Sequence, residues 1–145
     1  MARIWTIGYE RLPPGALVAE IEHAGVERVL DVRYRPQSRR PGMSKTRLGE
    51  LLARHDIAYE HRRELGTPPD IRWFYKNNQV ATGAAAYRAH VESESTAALD
   101  ELAAELAAGP RTALMCLEAE PAVCHRRTVT EHLQRRLPGL RVVDL

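Results

Sequence analysis

The chain has two cysteines in 145 residues, too few for a disulfide framework, and small secreted domains usually carry more. No apolar run approaches the roughly 20 residues of a membrane span. Charged residues at Arg3, Glu10 and Arg11 interrupt the N-terminal stretch, which does not read as a signal peptide. These absences predict a cytoplasmic protein with no membrane association and with both thiols reduced. The nine glycines and nine prolines lie scattered, with no low-complexity tract and no internal repeat. Lysine is scarce, two against nineteen arginines, a skew that arginine-rich codon usage explains. The net charge of +2 is mild, so the clustering of the arginines says more than their number.

What is present reads as one α/β domain over residues 1–145. A chain of this length buries about 70% of its unfolded surface, enough for a core without staples. Residues 4–7 form a short apolar strand ending at Gly8-Tyr9. Pro13-Pro14 opens a helix with Leu17, Val18 and Ile21 on one face and Gly25 as its stop. Residues 28–32 read as a second strand, running into Asp31-Val32-Arg33. Ser44 is a reasonable N-cap for a helix carrying Leu48, Leu51 and Leu52, and residues 57–59 are a candidate third strand. Residues 62–82 are turn-rich and resist assignment, with Trp73-Phe74-Tyr75 either capping the core or lining a pocket. Residues 84–108 are helical, broken near Ser93 to Ser95. Residues 112–117 are a buried strand, and Val129, Leu133 and Leu137 recur at helical spacing. Residues 140–143 close the chain as a strand. Strands alternating with helices predict a three-layer open sandwich around a mostly parallel sheet of about four to five strands.

The densest chemistry lies between Thr112 and Arg127, where Cys116, Glu118, Cys124, His125, Arg126 and Arg127 surround one strand-to-helix junction. Pro121 suits the first turn of the helix. A thiol there feels the helix dipole and two arginines, so Cys124 is the candidate nucleophile. Glu118 is a candidate general base and His125 a third catalytic candidate. Each has a plainer role as well. Cysteine is commonly a small buried filler, Glu118 could simply hold Arg126, and His125 lies on the core-facing line where a carbonyl or carboxylate satisfies it. Adjacent helical residues point about 100° apart, which keeps His125 from activating Cys124 directly. A Cys-x-x-x-x-x-Arg phosphate loop is excluded, because the arginine position falls on Ala122 from Cys116 and on Thr130 from Cys124. A sulfur-carrier role for a cysteine in such a loop stays open. Cys116, Cys124 and His125 are zinc-ligand types, but their spacing matches no usual pattern, and neither metal nor cofactor is expected.

A second constellation is basic. Arg33, Arg35, Arg39, Arg40 and Lys45, with Ser38 among them, follow the second strand. If that strand lies near the Cys116 strand, the loop and Arg126 face one cleft and form an anion site. The predicted binding residues are Arg33, Ser38, Arg39, Lys45, Arg126 and Tyr9. The alternative is a solvated loop whose arginines pair with Glu10, Glu60 or Glu64.

Thr6-Ile7-Gly8-Tyr9, Asp31-Val32-Arg33, Ser38-Arg39, Glu64-Leu65-Gly66 and Cys116-x-Glu118 followed by Cys124-His125-Arg126 occur in that order. Together they resemble the bacterial and archaeal family called domain of unknown function 488, over nearly the whole chain. The resemblance implies a small α/β fold with a pocket where the motifs meet, and no particular activity. Tyr9 stands where many relatives carry histidine, so no histidine-dependent role transfers to it.

Three functions remain. The first is an enzyme acting on a phosphate-bearing small molecule, nucleotide or nucleic acid. The second is a non-catalytic nucleic-acid-binding module, for which Tyr9, Tyr34, Trp73 and Tyr75 would supply stacking, although the charge is small and no known motif appears. The third is a scaffold whose Cys-His-Arg stretch is structural. Oligomeric state is not legible.

Overall fold

The chain runs Arg3–Gly8 (β1), Pro14–His23 (α1), Arg28–Asp31 (β2), Lys45–Ala53 (α2), Ala58–His61 (β3), Pro69–Lys76 (α3), Val80–Glu94 (α4), Thr96–Ala108 (α5), Thr112–Cys116 (β4), Arg126–Arg136 (α6) and Arg141–Asp144 (β5), with helices between successive strands and three of them between β3 and β4. They come from a computed structural model that describes residues 2–145. The five strands pair in the order β3-β2-β4-β1-β5, and every pairing is parallel. This is the expected α/β open sandwich. The central strand, β4, is buried at all of its positions, which accounts for its unbroken apolar run. No helix of the described residues is long and apolar enough to cross a membrane.

Alternation along the strands sends successive side chains to opposite faces. Ile4, Leu30, Val32, Leu114 and Cys116 enter the core under α3, α4, α5 and α6. Trp5, Ile7, Tyr9, Val29, Ala113 and Met115 enter the other core, under α1 and α2. Two chemistries of the sequence are thereby sorted to two sides of one sheet.

Several local expectations shift. The turn-rich stretch contains a 3-10 turn, Arg63–Leu65, and a full helix, α3, that Pro68-Pro69 opens. Ser44 does stand at the N-cap of α2 but makes no side-chain cap; its hydroxyl instead accepts from the Ser38 amide at 3.0 Å. Pro121 begins a separate 3-10 turn, Pro121–Val123, and α6 starts only at Arg126. The break at Ser95 between α4 and α5 falls as the sequence predicts.

Two glycines of the recurring motifs mark where loops close over the strand ends. A Cβ on Gly8 would overlap the backbone of Glu118 and Ala119. One on Gly66 would lie 2.6 Å from the Tyr34 amide nitrogen. Any larger residue would push the loops after β4 and β2 off their seats.

Candidate functional site

On the α1–α2 face, Asp31 and Arg33 form a buried ion pair. Nε of Arg33 donates to Oδ1 at 2.9 Å and Nη2 to Oδ2 at 2.7 Å. Nη1 of Arg33 donates to the Met43 carbonyl at 2.8 Å and to the Tyr9 hydroxyl at 3.2 Å. Tyr59 donates its hydroxyl proton to Asp31 at 2.5 Å. Burial works against the Arg33 charge, but the hydrogen bond and charge of Asp31 outweigh it and the guanidinium pKa is raised. Tyr59 is likewise raised, by burial first and then by the Asp31 charge. Tyr9 is buried with the guanidiniums of Arg33 and Arg40 over its ring, at 5.3 and 5.5 Å. Arg40 donates to the Tyr9 carbonyl at 2.5 Å, to that of Glu10 at 3.1 Å, and to that of Leu12. The hydroxyl of Ser38 accepts from the Arg40 amide at 3.1 Å. Arg33, Tyr9, Arg40 and Ser38 therefore hold the loop after β2 together, and the buried Arg33 and Tyr9 line neither of the open hollows at the strand ends.

On the opposite face, Cys116, Cys124, His125 and Arg126 gather. The sulfurs of Cys116 and Cys124 meet, so the two cysteines are not independent of each other as the sequence reading had them. His125 is the N-cap of α6, and Cys124 before it is extended, with φ −125° and ψ 144°. The 100° helical separation expected for these neighbours does not apply there, and His125 Nδ1 lies 3.8 Å from the Cys124 sulfur. Its Nε2 is 2.7 Å from the Val32 carbonyl, which only accepts, so Nε2 carries the proton and Nδ1 offers a lone pair. Burial pushes His125 down to about 4, with the Val32 hydrogen bond opposing, and keeps the ring neutral at pH 7.

Arg126 has 0% exposure. Its Nη1 donates to the Cys116 sulfur at 3.0 Å and to the Glu118 carbonyl at 2.5 Å, and Nη2 donates to the Ala119 carbonyl at 3.1 Å. Its Nε has no partner. Burial lowers its pKa, with the charges of Asp144 and Glu118 pulling the other way. Glu118 thus engages Arg126 through its backbone, while its carboxylate lies 3.7 Å from the Cys116 sulfur. Cys116, Cys124 and His125 each present one ligand atom, and these atoms lie within 4.8 Å of one another.

β2 and β4 are indeed neighbours, yet the shared mouth expected for Arg33 and Cys124 does not form. Asp31 and Arg33 share the α1–α2 face with Val29, whereas Cys116 and Cys124 pack with Leu30 and Val32. Arg126 is sealed beneath the surface and does not reach the basic loop.

The open space at the strand ends lies elsewhere. A cleft of about 560 Å³ is lined by Tyr34, Arg35, Arg39, Arg72, Trp73 and Lys76 among others, with no carboxylate in its wall. A neighbouring hollow of about 630 Å³ shares Tyr34 and Arg35 and adds Lys45, His61 and Arg63. Of the predicted binding residues, Arg39 and Lys45 stand at these openings. Arg72, Trp73 and Lys76 escaped the sequence reading as a group. Their signal was the Pro68-Pro69 opener, after which Pro69, Arg72, Trp73 and Lys76 fall at helical i, i+3, i+4 and i+7 and line the cleft together. A further hollow of about 380 Å³ sits at the opposite, amino ends of the strands, away from where parallel sheets bind ligands.

No curated protein and no solved structure matches the chain. Residues 15–133 match the family described as "Domain of unknown function DUF488", a span holding Asp31, Arg33, the cleft and the Cys-His-Arg cluster. On that match the chain belongs to the DUF488 family.

Proposed function

We propose that the protein binds a phosphate-bearing ligand with a planar ring, a nucleotide or a short single-stranded nucleic acid, in the cleft between the loop after β2 and α3. The observation that carries this reading is the cleft wall. Arg35, Arg39, Arg72 and Lys76 line one hollow with no carboxylate, beside a Trp73 that is 52% exposed. Cations left without acidic partners hold a positive potential that an anion relieves. An exposed indole offers a face for a base, and stacking is sequence-tolerant because every base has a π-face. The adjoining hollow carries the basic surface on to Lys45 and Arg63, which suits more than one phosphate.

The reading assigns binding and no bond-breaking step. Cys124 and Glu118, the expected nucleophile and base, are not among the residues lining either hollow. The test is titration with ATP and with a short oligothymidylate at two salt concentrations, followed by tryptophan fluorescence. Micromolar binding that weakens with salt, and weakens at least tenfold in Arg39→Ala/Arg72→Ala, is expected. Salt-insensitive binding, or none at micromolar protein, would remove the proposal.

A further inference from the structure

We infer that Cys116, Cys124 and His125 form a three-residue zinc site tying the end of β4 to the start of α6, with the fourth position left to water or to the Glu118 carboxylate turned inward. This site is separate from the cleft and does not depend on the binding reading.

The donor set is two thiolates and one imidazole, ligand atoms within 4.8 Å of one another and all of types that zinc takes. Zinc–ligand bonds of ~2.3 Å to sulfur and ~2.0–2.2 Å to nitrogen or oxygen, at tetrahedral angles, place S···N and S···O edges at about 3.6 Å. Two contacts come near this, 3.8 Å from Cys124 Sγ to His125 Nδ1 and 3.7 Å from Cys116 Sγ to Glu118 Oε2, while the two sulfurs touch each other and would part to seat the ion. The cysteine Cα atoms are 7.8 Å apart. Cross-linked cysteines usually keep theirs within about 6.8 Å, and two thiolates that share a metal need the wider span.

The surroundings suit a metal as well. His125 turns Nδ1 towards the sulfurs because Nε2–H donates to the Val32 carbonyl, the outer hydrogen bond that fixes a ligating histidine. Arg126 donates to the Cys116 sulfur at 3.0 Å, an N–H···S contact that steadies a thiolate. Charge closes too: the dication and Arg126 balance two thiolates and Glu118. Without an anionic sulfur, Arg126 would be a buried cation with no ion-pair partner among the described residues, an expensive arrangement. The sequence spacing concealed the site because the loop between Cys116 and Cys124 folds back across the strand end.

The full chain, purified in reductant without chelator, should carry about one zinc per molecule by elemental analysis. After removal of the metal, Co²⁺ added to reduced protein should give thiolate charge-transfer and tetrahedral ligand-field bands that zinc abolishes. His125→Gln and Cys124→Ser should each weaken Co²⁺ at least tenfold. Should these variants fail to fold, the cobalt spectrum of the unmodified protein still decides. Folded, reduced protein that yields no tetrahedral cobalt spectrum overturns the inference, as does protein isolated zinc-free with an intact Cys116–Cys124 disulfide under the same reducing conditions.

Discussion

Arg126 points its Nη1 at the sulfur of Cys116, 3.0 Å away, and no carboxylate among the described residues stands within ion-pair distance of it. The guanidinium is wholly buried, and a thiolate at Cys116, as the zinc site requires, would be its nearest anionic counterpart. Removing one member of a buried charged pair typically costs ~3–5 kcal/mol because the other is left uncompensated. Cys116→Ala and Arg126→Met should each be strongly destabilising in urea, measured in reductant and chelator. The double variant should fall short of the sum of the two by at least ~1 kcal/mol. Strict additivity would mean that the contact carries no energy.

Asp31 sits at the centre of a different network, and its carboxylate should matter for folding before it matters for ligands. Asp31→Asn leaves the buried guanidinium of Arg33 without its charge partner and turns one of the two oxygens shared by Arg33 and Tyr59 into an amide donor. A loss of ~3–5 kcal/mol in urea unfolding is expected. A loss below about 1 kcal/mol would show the pair to be idle.

The sheet and its helices were legible because their residues obey simple periods. Residues 112–117 were apolar without a break, and β4 proved to be central. Leu17, Val18 and Ile21 sat on one face of their helix. The site was less legible. The strand period of two already separates Asp31 from Val32, and hence Arg33 from the cysteines. Proximity of strand ends hid that separation. The closeness of His125 to Cys124 could not be seen, since it requires Cys124 to be extended just before a helix that starts later than Pro121 suggested. The motif glycines at 8 and 66 are explained only by backbone that crosses them from Glu118 and Tyr34. Long-range approach of that kind leaves no local periodicity to read.

Acid should loosen a third junction. Glu105 on α5 accepts from Arg62 at 2.7 and 2.9 Å and from Arg28 at 2.5 Å. The Arg62 hydrogen bonds, with those of Arg28, hold its carboxyl down at about 2, against a partial opposing effect of burial. A carboxyl held lower in the folded state than in the unfolded chain stabilises above its unfolded value. Its contribution is therefore full above about 4.5 and fades as pH falls towards about 2. Glu105→Gln should be less stable than the unmodified protein at neutral pH, and the gap should narrow through that window. Urea midpoints for both proteins across the acid range provide the check. A gap that stays constant would mean that Glu105 does not couple folding to protons.

The cleft can be divided by the way its residues respond to salt. Arg72 and Trp73 are adjacent on α3 and both line the hollow, yet they would act on a nucleotide-bearing ligand through different forces. A guanidinium on a phosphate releases counterions, so Arg72→Ala should lower the slope of log K against log salt by about 1. Indole stacking on a base releases none. Trp73→Ala should weaken an oligonucleotide by ~1–3 kcal/mol at every salt concentration and leave the slope unchanged. If both variants alter the slope equally, the indole is not stacking and the ring half of the binding assignment fails. If neither alters affinity, the ligand does not sit in this cleft at all.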